Sequence, residues 1–383
     1  MKMKRFSLVL LAMLLVLSVF TACDDDSDGG SSSGSSSYTT IEVSTEEELA
    51  EAVGSSRVIV QLLDDIGLTE AVTVTGTDVI LDLNEKTITC SVYGHNAITI
   101  KGSLTITGDG TIENKSTAKY HVICVYGGTL TIESGAIIDN YSSSTSSYAI
   151  IYGYIGSIII KGGTFTSTWR KILLSTSSAT VVIEDGTFDN AIKLYGSATI
   201  NGGEFSGGES RLVNCSAVIT GGKFTSGLGL GNCEGLKEDS AVEISGVSAA
   251  YIVFFSDTLA TISDSTCYSY IEAESGAIVT IESGSYGYIY VNDGFVTING
   301  GEFSNAYGLF KMFGSSYSEK AEIDIYGGTF DGVFKYDDYS LVGDYVYIKL
   351  YGGTFNDNPK QYLYRTGYSY TTSTDASGTI WYT

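Results

Sequence analysis

The chain has 383 residues, and its 44 acidic side chains against 21 basic ones leave a net charge of −23. That balance excludes a nucleic-acid partner, because phosphates would be repelled. Hydrophobic residues make up 43%, enough for a large core, and the chain has 46 Gly, 28 Tyr and one Pro.

The first element is a targeting segment over 1–22. MKMKR is basic, FSLVLLAMLLVLSVF is an apolar run, and the small residues Thr21 and Ala22 precede Cys23. Together these make a signal peptide, too short for a comfortable membrane span. Cys23 directly after small residues resembles a bacterial lipobox, although Phe20 stands where Leu is commoner. The resemblance implies cleavage before Cys23 and lipid on its sulfur and amine. The membrane is then a partner through that lipid, and the location is the cell envelope, on the outer surface. Ordinary secretion with cleavage nearby is the alternative.

Residues 23–40 form an acidic and Ser/Gly-rich tether, DDDSDGGSSSGSSS at its heart. The acidic run after the Cys resembles the export tag of surface lipoproteins in some Gram-negative anaerobes. Asp24, Asp26, Asp28 and Gly29 open like a calcium loop. The twelfth position, where a bidentate carboxylate is needed, is Ser35, so the solvated tether is the better reading.

Next comes STEEELAEAV. Thr45 and Glu48 have capping-box spacing, which predicts a short amphipathic helix at the open end of the following fold. From there one motif recurs: IKGGTF (160–165), IEDGTF (183–188), INGGEF (200–205 and 298–303), ITGGKF (219–224), IYGGTF (325–330) and LYGGTF (350–355). Weaker copies sit at 132–137, 244–249, 262–267 and 281–286. A period of 17–28 residues, β-branched residues, Gly turns and no helical periodicity predict a β-solenoid over 41–383. Stretches such as AITIKGSLTITGDGTIE split into three short alternating strands, hence a triangular coil. The Ile before each Gly pair and the Phe after it point inward. Phe165, Phe188, Phe205 and Phe224 are expected to stack as a ladder that continues through Phe303, Phe330 and Phe355.

The helix, VILDLNEKTIT (79–89) and the I-x-G-G-x-F turns resemble the right-handed parallel β-helix family of pectin-lyase-like proteins. They look most like its non-enzymatic surface proteins from gut and oral bacteria. The resemblance covers about 41–383 and implies an all-β, right-handed parallel β-helix of about a dozen coils with an N-terminal capping helix. Family enzymes cut acidic polysaccharides, the lyases with a calcium-binding acidic cluster and a basic residue, the hydrolases with close Asp residues. The hydrolases' Gly-His-Gly is absent, GHN at 94–96 being the nearest text. The lyases' Arg near a Pro cannot be built around Pro359. Asp337 and Asp338 are strand neighbours facing opposite ways, a poor catalytic pair. No cofactor, metal site or catalytic residue is assigned.

GLGLGNCEG (227–235) lacks the Lys-Ser/Thr ending of a phosphate loop and reads as a compact coil corner. The five Cys after Cys23 lack paired zinc spacing. Cys215 and Cys233 stand one coil apart, which permits a disulfide; free thiols acting as small buried hydrophobes serve equally. Aligned first strands form an outward column of Ala97, Val122, Ala149, Lys171, Ala191 and Arg211, then Tyr251, Tyr270 and Tyr288. Two residues on stand Glu272, Tyr290, Lys311, Lys335 and Tyr364. The aromatic strip is thus expected in the C-terminal half only. Its rings, with Tyr290, suit sugar faces, or are simply good strand residues. Together these features point to a lipid-anchored surface protein presenting a rigid rod for adhesion or glycan binding, its partner a surface glycan or a protein of a host or neighbouring cell. A polysaccharide lyase or hydrolase and a structural spacer are the alternatives.

Overall fold

The computed structural model describes residues 37–115, 120–139, 148–231, 240–316, 320–333, 336–338, 346–359 and 371–383. The signal peptide, Cys23, the tether up to residue 36, Cys233, Lys335 and Tyr364 lie outside the described residues. Thr39 and Thr40, read as the end of the tether, belong to the first strand, and of Asp337 and Asp338 only the backbone is described.

The chain winds as a parallel β-solenoid of about thirteen turns. Each turn contributes to three faces. On the first, strand pairing runs from Thr39–Val43 through Val58–Leu62, Val79–Asp82 and Ser103–Thr107 to Val346–Leu350. The second starts at Ile66–Leu68 and ends at Thr354–Phe355. The third starts at Val72–Val74 and runs to Tyr336–Asp338. Several strands turn a corner without breaking: Ile123–Ile132 pairs with Ile98–Ile100 on the third face and Ser103–Thr107 on the first.

Alternation explains the burial. In the repeat at 199–205, Ile200 and Phe205 are buried and Asn201 and Glu204 exposed. Stacking such coils in register produces continuous inward columns. One is isoleucine at every rung from Ile106 through Ile132, Ile160, Ile183 and Ile200 to Ile325, closed by Leu350. The second face carries Ile66, Ile88, Ile112 and Ile137, then the expected ladder of Phe165, Phe188, Phe205 and Phe224. Its rings stack at 4.8, 4.6 and 4.5 Å. The weaker motif copies interrupt it: Ala249 and Cys267 fill the next two rungs, and Tyr286 and Phe303 restart it.

The two motif glycines have separate tasks. A Cβ on Gly202 would stand 2.5 Å from the Glu184 carbonyl of the preceding coil, so close packing favours glycine at that rung, although Asp185 holds the same position one coil earlier. Gly203 has φ +100°, which L side chains resist, so the corner requires the second.

The predicted helix spans Glu46–Ala52. Thr45 and Glu48 make the reciprocal capping box, and Leu49 and Ala52 are buried against the first coil. At the other end Ile380–Tyr382 runs antiparallel to Thr372–Thr374 and to Phe355, a hairpin the repeat did not announce. An antiparallel strand across the last rung blunts an edge that could otherwise pair with another chain.

Phe205 is 1% exposed between two rings. Phe205→Ala is expected to cost about 3–5 kcal/mol, and Phe205→Asp more, since an unpaired carboxylate enters the core. Chemical denaturation checks this; an unchanged midpoint would mean the ladder is not there.

Candidate functional site

On the third face the inward column is Leu173, Ile192, Ser210, Leu228, Ile252, Ile271, Ile289 and Phe310, all buried. The residues on either side point outward. One outward column runs Lys193, Arg211, Gly229, Val253, Glu272, Tyr290 and Lys311 in unbroken register. The other is read one residue before the inward column: Ala191, Glu209, Gly227, Tyr251, Tyr270 and Tyr288.

The motif-based alignment therefore needs correction. Ala97, Val122 and Ala149 are buried rather than outward, and Ala149 and Lys171 pair with each other one residue out of step with Val122 and Ala191. Arg211 lies in the column of Glu272 and Tyr290, not in that of the three tyrosines. Insertions between strands shift the count, and only hydrogen-bonded register removes the shift. The rung after Lys311 is Asp337 by backbone register.

Tyr251, Tyr270 and Tyr288 do come together, half-buried and stacked at 5.2 and 5.4 Å. Their flat faces are already occupied. Tyr251 lies on Gly227, where an added Cβ would be 2.3 Å from its ring, and the Lys311 ammonium sits 4.5 Å from the centroid of Tyr288. A ligand therefore meets ring edges and hydroxyls. Of the glycine-rich stretch, Leu228–Gly231 is a strand with positive φ at Gly227 (+98°) and Gly231 (+104°), its bare backbone covered by Tyr251 over Gly227 and Phe255 over Gly229, and 232–235 lie outside the described residues.

The Tyr251 hydroxyl donates to Glu209 Oε2 at 2.9 Å, and Glu209 also pairs with Arg211. Burial, then the Glu209 carboxylate, pushes the Tyr251 phenol up to about 12, so it remains a donor. Arg211 in turn stands 5.5 Å from the Phe255 ring centroid. Beside the tyrosines, burial and then the carboxylates of Glu274 and Glu209 push Glu272 up to about 7. Burial likewise raises Glu274.

Toward the N-terminal end this strip opens into a shallow cleft of about 320 Å³ lined by Trp169, Lys171, Asn190, Lys193, Glu209 and Arg211. Trp169 is 52% exposed at its rim. Burial, then the charges of Lys193 and Arg211, holds Lys171 below the usual lysine range. Sequence reasoning assigned no role to Trp169, Glu209 or Lys193. The one signal was rarity, Trp169 being one of two tryptophans.

The N-terminal half is not free of aromatics, contrary to expectation. His121 stacks on Tyr152 at 4.3 Å and Tyr126 on Tyr154 at 5.1 Å. Burial pushes His121 down to about 4, so it is neutral. Arg170, 1% exposed, donates from Nη1 to the Tyr120 carbonyl at 2.8 Å. His95 has its ring 6.2 Å from that of Tyr120.

Cys215 is buried with a free thiol, and burial pushes it up to about 12, which makes it inert. The offset between neighbouring coils is 18 residues at Val213–Gly231 but 25 at Ala217–Val242. The insertion between them, 232–239, contains Cys233 and lies outside the described residues, so spacing alone does not stack the two cysteines. Among the described residues no three His, Cys, Asp or Glu side chains are placed to hold a metal ion.

Comparison with protein-family models, curated proteins and solved structures finds no match, so the functional reading rests on these residues alone.

Glu272 links site to stability. Its folded value is raised, so its contribution is full below the ordinary 4.5 and is lost as the pH rises through about 7. Glu272→Gln is expected to flatten that part of the decline. Thermal melts across the window check this; parallel wild-type and variant curves would place Glu272 in ordinary solvent.

Proposed function

We propose that this protein is a lipid-anchored bacterial surface protein that binds a glycan along the third face of its solenoid. The observation that carries the reading is the continuous run on one face from Trp169 to Lys311. It combines an exposed indole, stacked tyrosines offering hydroxyls, an amide at Asn190 and charges of both signs. An exposed aromatic with a few convergent polar groups is how a polyhydroxylated, partly apolar ligand is held. The rod winds right-handed, the sense parallel crossovers nearly always take, with the helix over its N-terminal end. Cys23 carries the lipid, and the acidic tether holds the rod away from the membrane.

Replacing Trp169 with Ala, and separately Tyr251, Tyr270 and Tyr288 with Ser, is expected to weaken glycan binding about tenfold or more while the rod stays folded. An aromatic stacking contact such as that of Trp169 contributes about 1–3 kcal/mol in the comparable case of base stacking, and each tyrosine hydroxyl hydrogen bond about 0.5–1.5 kcal/mol. A glycan array read with wild type and both variants checks this, and equal binding by both variants would move the site elsewhere. One observation favours a second reading, enzymatic cleavage: Glu272, near 7 and beside Glu274, suits a proton donor. Shortening of a bound glycan by wild type but not by Glu272→Gln would decide for it.

Cys23→Ala is expected to release the protein from membranes into the soluble fraction. Membrane fractionation checks this; retention of a correctly processed variant would remove the lipid anchor.

A further inference from the structure

Charge is not spread evenly along the third face. Lys171, Lys193 and Arg211 share one cleft in a chain whose net charge is −23. Lys193 and Arg211 are register partners on adjacent rungs. Glu209 pairs with Arg211, which leaves the cleft net positive by formal charge. Farther along, the sign reverses. Glu272 stands three rungs beyond Arg211 in the same column, about 14 Å at ordinary strand spacing. Glu274 and Glu209 are close enough to raise the affinity of Glu272 for a proton, while Arg211, paired with Glu209 and acting on Glu274, marks the boundary between the two zones. Between the two charged zones the rungs carry Gly229 and Val253 in one column, Gly227 and Tyr251 in the other.

We propose that the third face takes an otherwise neutral glycan carrying one terminal anionic group, a carboxylate or a sulfate, seated among Lys171, Lys193 and Arg211. The proposal rests on the glycan reading above and narrows it. The cleft supplies ammonium and guanidinium donors to the anion, with Trp169 against the ring that bears the charge, while the Asn190 amide, donating to the Ser167 carbonyl and accepting from the Ala191 N–H, fixes the cleft floor. The neutral remainder runs toward Tyr251 and Tyr270, the Tyr251 hydroxyl, which donates to Glu209, being left to accept. A polyanion such as a polyuronate is disfavoured in this direction. Its next charges would fall beside Glu272 and Glu274, in a partly buried setting where like charges are poorly screened.

The test is a glycan array with neutral members, members ending in a single carboxylate, members ending in a single sulfate, and polyuronates. It is probed with the full chain in detergent. Wild type is expected to bind the acid-terminated members, the two arms separating carboxylate from sulfate. The paired variant Lys171→Gln with Lys193→Gln should lose about tenfold or more of that binding. Lys171→Arg with Lys193→Arg should restore it, which separates lost charge from lost folding. Glu272→Gln with Glu274→Gln should admit polyuronates. Binding confined to neutral members, wild-type preference for polyuronates, or indifference to the lysine variant would each overturn the proposal and leave the glycan reading standing. No binding to any member would remove both.

Discussion

Everything in this molecule depends on rungs lying in register at the ordinary strand spacing. The inward isoleucine column and the phenylalanine ladder hold that register, since a one-residue slip would turn every apolar side chain toward water. The glycine corners allow it, because a side chain on Gly202 would collide with the coil beneath. Where the ladder is interrupted by Ala249 and Cys267, the isoleucine column on the first face is continuous, so no rung lacks an apolar anchor.

Register of the inside dictates the outside. Once Ile252, Ile271 and Ile289 are stacked, Tyr251, Tyr270 and Tyr288 are stacked too, whether or not their contact is favourable in itself. A β-solenoid thus converts a sequence period into a row of side chains a few ångströms apart. That is how a solenoid presents an extended surface of aligned side chains. The third face uses this twice: a cationic cleft around Lys193 and Arg211, and a tyrosine stack flanked by carboxylates.

The tyrosine stack is more rigid than a set of independent rings. Gly227 closes one end, the Lys311 ammonium the other, and Glu209 ties the Tyr251 hydroxyl to Arg211. The same contacts take the ring faces out of use. Of the aromatics along this run, Trp169 keeps an exposed indole, while the three tyrosines present hydroxyls and edges. Glu272, pushed up to about 7 by burial and then by the carboxylates of Glu274 and Glu209, stands in the adjoining column.

The sequence by itself determined the class of fold, the inward residues of each coil, the capped helix and the outward aspect of the three tyrosines. These follow from local alternation and from glycines that few other residues could replace. It did not determine which outward residues share a rung. Offsets differ from coil to coil, 19 residues at Leu173–Ile192, 18 at Lys193–Arg211 and 24 at Leu228–Ile252, so a motif count places Arg211 in the wrong column, while the pairing of Cys215 with Cys233 lies outside the described residues. It did not disclose Trp169 beside Lys193, the aromatic pairs at Tyr152 and Tyr154, or the antiparallel hairpin at Ile380–Tyr382. Only the tertiary structure decided these. Inward burial leaves a periodic signature in one coil, whereas outward neighbours are set by hydrogen bonding between coils about twenty residues apart, which no short window of sequence contains.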